Sequence, residues 1–150
     1  MESNSHPIYL SSKAKGEELL KTAKEYTYWE YEDLSLKVYS VGDKEEGIEK
    51  PAIIFLHGGA WDISSPEQFI PHCHHFRDGG AVCFTAEYRG ALNGMTNPLD
   101  AAEDVRNLIV WIRENANIFG VAVNKIVLVG AASGGHAALS SMRRRKRERF

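Results

Sequence analysis

The residues whose types and spacing suggest chemistry are Gly130-Ala131-Ala132-Ser133-Gly134-Gly135-His136, which follow the apolar run Ile126 to Val129. A β-branched run opening into small residues reads as a strand, a sharp elbow and a helix. Such an elbow lifts one side chain onto a strained turn at the end of a strand, and flanking glycines let the backbone make that turn. In the spacing Gly-x-Ser-x-Gly counted from Gly130, the raised position is Ala132, and the serine stands one place later, at Ser133. A hydroxyl raised there is a nucleophile for acyl transfer; a methyl group is not.

To position such a turn the chain needs a sheet, and the hydrophobic pattern supplies one. Residues 16–26 read as a short helix, then 28–32 and 34–41 alternate as two strands, and 42–50 form a charged turn. Residues 52–56 are an apolar run of the length of a strand buried on both faces, ending at His57-Gly58-Gly59. A helix over about 66–77 is broken by Gly79-Gly80, and 81–88 make another buried strand. Ala102, Val105, Leu108, Ile109, Ile112 and Ala116 recur at three- and four-residue steps, which predicts a helix over 99–117, stopped by Gly120. Residues 125–129 are the next strand and 134–142 the helix behind the elbow. The expected fold is α/β, a mostly parallel sheet with helices on both faces. The chain divides into a polar segment with a short helix (1–25), a sheet-bearing part (26–142) and a basic tail (143–150).

The ordered set His57-Gly58-Gly59-Ala60-Trp61, Glu87-Tyr88-Arg89-Gly90, the helix bearing Asp100 to Trp111, and the Gly130 to His136 elbow resembles the α/β-hydrolase fold. It looks most like the acetyl-esterase and feruloyl-esterase-like carboxylesterases related to the hormone-sensitive lipase group. The resemblance covers about residues 26–142, the N-terminal half of such an enzyme, and implies a sheet truncated after the elbow helix. It implies an acyl-serine mechanism with no cofactor and a small-molecule ester as substrate or ligand. Acyl transfer passes through a tetrahedral oxyanion, and losing one N–H donor to it typically costs about 3 to 4 kcal/mol. Gly58, Gly59 and Ala60 are expected to supply donors from one side and Ser133, the residue after the raised position, from the other. His57 and Trp61 are expected at the substrate side, with simple packing an equal reading for Trp61. Arg89 and Asp104 resemble the family's structural ion pair, and Gly130, Gly134 and Gly135 its elbow glycines.

Three accounts of Ala132 stand side by side. A serine has been lost from a Gly-Ala-Ser-Ser-Gly-Gly elbow, which is the preferred account; or the register shifts by one, making Ser133 the nucleophile of an Ala-x-Ser-x-Gly elbow. The third, compatible with both, is a truncated chain whose remaining half would have supplied the last strands. A serine nucleophile also needs a histidine base oriented by a carboxylate, in the order Ser, Asp or Glu, His. Past Ser133 only His136 and Glu148 are available, and neither fits that order. Little or no turnover is therefore expected, and the alternative is a noncatalytic module holding a small ligand on the same scaffold.

Other chemistry is weaker. Asp100 is expected as a helix N-cap. Cys73 with His72, His74 and His75 has poor spacing for a metal, since neighbours on a helix diverge by about 100°, and no metal is expected. Cys73 and Cys83 form no Cys-x-x-Cys and read as two free thiols. Net charge is −2, with six basic residues and one acid from Arg143 to Phe150 set against −7 elsewhere. That tail is expected to be solvated, and its abrupt composition also fits a frame shift or chain boundary; nucleic-acid binding is not expected. No run of about 18 apolar residues predicts a membrane span, and the polar start lacks a secretory pattern, so the expected location is cytoplasmic. Truncation would leave strand 125–129 at an unpaired apolar edge, which predicts self-association.

Overall fold

Strand character is strongest where apolar, β-branched residues run without interruption; the runs at 52–56 and 82–86 lie inside the sheet and the run at 126–129 at its end. A computed structural model describes residues 7–59, 65–90 and 97–143, apart from the side chains of 7–11. Five strands, β1 (Lys24–Tyr31), β2 (Leu34–Val41), β3 (Lys50–Leu56), β4 (Val82–Ala86) and β5 (Val121–Gly130), form one sheet in the order β1-β2-β4-β3-β5. β1, β2 and β4 pair antiparallel in turn, while β3 lies parallel to both β4 and β5. The sheet is thus mixed at its N-terminal edge and parallel from β4 onward, where helices connect the strands.

Around the sheet lie α1 (Pro7–Leu20), a 3-10 turn (Pro66–Phe69) leading into α2 (Ile70–Asp78), α3 (Pro98–Glu114), the short α4 (Ala116–Phe119) and α5 (Ser133–Ser141). Strand alternation sorts the core into two layers. Ile54 and Leu56 of β3 and Val82, Phe84 and Ala86 of β4 join Val105, Leu108 and Ile112 of α3 and Ala137 of α5. Phe55 and Cys83 point to the opposite face and pack with Ile70 and Cys73 of α2. The helix face read from the sequence is the buried one, Ala102, Val105, Leu108 and Ile112 all being at most 1 % exposed.

Boundaries differ from expectation in instructive ways. The first helix ends at Leu20, and Tyr26, expected in that helix, lies in β1 against the rings of Trp111 and Phe119. Its aromatic neighbours are distant in sequence, so local propensity could not place it. The α3 cap is Asn97, whose Oδ1 accepts from Leu99 N at 2.9 Å, with Pro98 next. Asp100, expected as the cap, sits in the first turn, where its charge faces the positive end of the helix dipole. Gly120 ends α4 in the left-handed conformation, φ 67. Among the described residues no helix is long and apolar enough to cross a membrane. The tail from residue 144 on lies outside the described residues.

Candidate active site

β3, β4 and β5 run parallel, so their carboxyl ends meet at one rim of the sheet, the position where open α/β sheets gather functional groups. From β5 the chain passes through Ala131 and Ala132 into α5. Ala132 has φ 50 and ψ −115 and is the one non-glycine with positive φ among the described residues. A conformation of this kind costs on the order of 1–3 kcal/mol and persists only where its surroundings impose it. Here they do. Ala131 N–H donates to Leu56 O at 3.2 Å, Gly134 N–H to Ala131 O at 2.9 Å, and His136 N–H to Ala132 O at 3.1 Å.

The glycines are explained by crowding. A Cβ on Gly130 would lie 2.5 Å from Gly134 and Gly135 backbone atoms, and one on Gly134 would run into Leu56 O and His57 O. A Cβ on Gly135 would meet Gly130 O at 3.2 Å. Strand β5, helix α5 and the end of β3 therefore touch backbone to backbone. Gly58 belongs to the same contact: its Cβ would lie 3.2 Å from Ala131 O and 3.5 Å from the Ala132 methyl. The glycine loop after β3 and the elbow after β5 thus face each other directly, and the Ala132 methyl is exposed at their junction.

Around this junction the Tyr88 and Ser133 hydroxyls are both engaged. Tyr88, just past β4, donates its one hydroxyl proton to His57 O at 2.6 Å. The Ser133 Oγ lies 3.0 Å from the same phenol oxygen, so in this arrangement Ser133 is the donor. Ser133 is 6 % exposed, and its N–H lies in the first turn of α5, where helix N–H groups lack an intrahelical acceptor. Burial raises the Tyr88 pKa, the bond from Ser133 opposing it. No imidazole touches the Ser133 hydroxyl among these contacts. His136 is exposed on α5, its Nδ1 3.5 Å from Ser140 Oγ one turn further along.

Two expected site residues are placed otherwise. Gly58 was expected to offer its N–H to an oxyanion, but it already donates to Gln68 Oε1 at 2.9 Å; Gln68 sits in the 3-10 turn, itself held by Thr85 Oγ1 donating to Pro66 O at 2.7 Å. Gly58 thus fixes the loop, and Gly59, φ 151, is the next donor along. His57, expected against substrate, is 1 % exposed and stacks on Tyr88 with ring centroids 4.6 Å apart. Its Nδ1 bonds Gly58 O at 3.0 Å, and Nε2 is buried with no hydrogen-bond partner among the described residues. Burial lowers its pKa from 6.5, only partly offset by the Gly58 carbonyl. Ala60 and Trp61 lie outside the described residues.

Arg89 and Asp104 do meet. Asp104 is fully buried and takes the Arg89 backbone N–H at 2.9 Å, its Nε at 3.0 Å and the Tyr31 hydroxyl at 2.5 Å. The Arg89 guanidinium also stacks 4.2 Å over the Tyr31 ring. This buried, satisfied charge ties the segment after β4 to α3 and to β1. The roles of Tyr31, Gln68 and Tyr88 were not read from the sequence. Their partners are 73, 10 and 45 positions away, and only the Glu87-Tyr88-Arg89 string hinted at one of them.

The BD-FAE family matches residues 36–149. A probable carboxylesterase 5 of Arabidopsis thaliana is 30 % identical over 118 residues, covering 67 % of this chain and 35 % of the plant protein. Esterase 2 of Thermogutta terrifontis, solved after phosphoramylation by tabun, superposes with a TM-score of 0.73 at 32 % identity, covering 79 % of this chain and 46 % of that one. The same esterase solved with propionate bound gives 0.73 at 29 %, covering 85 % and 49 %. The chain spans about a third of the plant protein and about half of the bacterial one. These are esterases of the α/β-hydrolase fold, and the mixed sheet described above is the corresponding part of it.

Proposed function

The chain belongs to the BD-FAE family, and from that membership we propose that it is a carboxylic-ester hydrolase scaffold of the acetyl or short-acyl kind, with little or no turnover of its own. The observation that carries the reading is the elbow: the strained backbone, φ 50, falls on Ala132, opposite the Gly58-Gly59 loop. In a working site of this shape, a serine hydroxyl at that position attacks the ester carbonyl and passes its proton to an imidazole. The alcohol leaves, and water then releases the acid from the acyl-serine. The oxyanion formed on the way is held by backbone N–H groups, here Gly59 and Ser133. No cofactor enters that chemistry.

Ala132 has no atom that can attack. Ser133 stands next to it, but its proton points to a phenol oxygen that is already giving its own proton away. A phenol so placed is a poor base. The preferred account is therefore the loss of the serine at position 132, and the shifted register is disfavoured. A short acid is the ligand class that fits, since the similar Thermogutta terrifontis esterase was solved with propionate and with butyrate bound. One observation favours a second reading, a noncatalytic module for a small ligand: the loop and elbow face each other at contact distance although the nucleophile position holds a methyl group.

The test is intact mass spectrometry after a fluorophosphonate probe, with amide chemical shifts recorded during titration with butyrate. The expected results are an unchanged mass and hydrolysis of a p-nitrophenyl ester at the rate of buffer. Saturable shifts at Gly59 and Ser133 would favour the binding module. An adduct mapped to Ser133 would overturn the assignment of position 132 as the nucleophile slot.

A further inference from the structure

Side chains hold the glycine loop one peptide unit at a time. The peptide between His57 and Gly58 is bound at both ends. Its carbonyl, His57 O, accepts from the Tyr88 hydroxyl at 2.6 Å, and its N–H, on Gly58, donates to Gln68 Oε1 at 2.9 Å. A trans peptide directs its C=O and N–H to opposite sides, so Tyr88 and Gln68 grip one plane from both sides. In the next peptide the carbonyl, Gly58 O, lies 3.0 Å from His57 Nδ1. A carbonyl oxygen only accepts, so that nitrogen carries the proton. The N–H of the same plane, on Gly59, is then directed away from the buried His57 ring. With glycine on both sides, and φ 151 at Gly59, the backbone itself does little to oppose a half-turn of this plane, which would exchange the two groups. Both anchors are firmly mounted. Beside Tyr88, Glu87 N–H donates to Lys37 O and Arg89 N–H to Asp104 Oδ2, each at 2.9 Å. Gln68 lies in the turn that Thr85 holds through Pro66 O.

We propose that Tyr88 and Gln68 are positioning residues of the oxyanion pocket: they lock the His57–Gly58 peptide and thereby aim the Gly59 N–H at the junction with Ala132. The proposal rests on the esterase reading above, in which the Gly59 and Ser133 N–H groups receive the oxyanion. Neither side chain touches the reacting atoms. A donor serves that charge only when it already points at the place where the charge forms, because turning it during the reaction would cost what the bond returns. Tyr88 does this on two sides at once, since its phenol oxygen also takes the Ser133 hydroxyl at 3.0 Å and so joins the glycine loop to the elbow. Gln68 engages the Gly58 N–H, which leaves Gly59 as the donor on the loop side. His57 is the catch between them. Its Nδ1–H keeps Gly58 O turned inward while the ring stays stacked on Tyr88.

The experiment is NMR on the whole labelled chain. The residual dipolar coupling of the Gly59 N–H reads its direction, and the nuclear Overhauser effect from that proton to the Ala132 methyl reads its nearness to the junction. The wild-type chain is expected to show one fixed Gly59 orientation, the methyl contact, and the His57 proton on Nδ1. Tyr88→Phe keeps the ring stack and removes both hydroxyl bonds; Gln68→Leu removes the acceptor. In each, the Gly59 coupling should shrink as the plane samples both orientations, and the methyl contact should weaken. In Gln68→Leu the Gly58 amide should also exchange about tenfold faster. Gln68→Glu, which keeps an acceptor oxygen at the same reach, should restore the wild-type values. Val105→Ala in α3 loosens the core without touching the loop, and should leave the Gly59 coupling and the methyl contact unchanged. Gln68 is exposed on its turn, so its two variants decide the matter even where Tyr88→Phe folds poorly. Wild-type values in either variant would remove that residue from the role. Equal changes in Val105→Ala, no rescue by Gln68→Glu, or a wild-type chain without the methyl contact would overturn the proposal as a whole. A fluorophosphonate adduct at Ser133 would sink the reading of position 132 without altering these couplings, so the two failures are told apart.

Discussion

At position 132 the backbone and the side chain tell different stories. The backbone adopts a conformation that alanine disfavours, yet the methyl group gains nothing from it. The strain is therefore imposed by neighbours and would persist with serine in its place. His57 is the other residue whose state is set by its surroundings. Stacked on Tyr88 and buried, it is held neutral to lower pH than a free imidazole, its pKa lowered from 6.5. The unfolded chain binds a proton there below about pH 6.5, whereas the folded chain resists it. This contribution to stability is thus complete above 6.5 and is lost as the pH falls through the depressed folded value. A ring titration of His57 by NMR is expected to give a midpoint below 6.5, with the urea midpoint falling between about pH 7.5 and about pH 5.5. A ring midpoint at or above 6.5 would remove the argument.

Among the described glycines, Gly130 and Gly134 at the junction of β3, β5 and α5 leave the least room for a side chain. Gly134 sits where a side chain would enter the Leu56 and His57 carbonyls, while at Gly135 the nearest atom is Gly130 O at 3.2 Å. Overpacking usually costs about 1–3 kcal/mol, more where backbone itself must move. Gly134→Ala is accordingly expected to cost more than about 3 kcal/mol in urea unfolding and Gly135→Ala about 1 kcal/mol. Equal costs for the two would mean that the elbow is not packed against β3 as described. The helices illustrate a different rule. α3 begins at the Asn97-Pro98 signal and not at the aspartate two positions further on, because a cap must lie before the first helical residue.

For the whole molecule the telling feature is the end strand. Among the described residues β5 pairs only with β3, and Val123, Val127 and Val129 along it are 50 %, 51 % and 37 % exposed. Leu139 and Met142 at the end of α5 are 75 % and 71 % exposed. An unpaired strand with an apolar face is a template for another chain. Size-exclusion chromatography with light scattering is expected to show concentration-dependent self-association, reduced by Val127→Lys. A monomer at every concentration tested would argue that this edge is inert.

Much of this architecture is written locally. The runs at β3, β4 and β5, the amphipathic stripe of α3 and the glycine spacing of the elbow are legible because period and turn chemistry act over a few residues. They suffice for the parallel half of the sheet and for a turn of small residues after β5. The sequence could not decide between the two elbow registers, because both place small residues where they are needed. The positive φ falls on Ala132, in a turn that Leu56, His57 and Gly58, more than seventy positions earlier, crowd by backbone contact. Tertiary structure alone also committed the Gly58 N–H to Gln68, buried His57 behind Tyr88, and brought Cys73 and Cys83 into one core layer. Each is a pairing between distant segments, whose geometry no local pattern encodes.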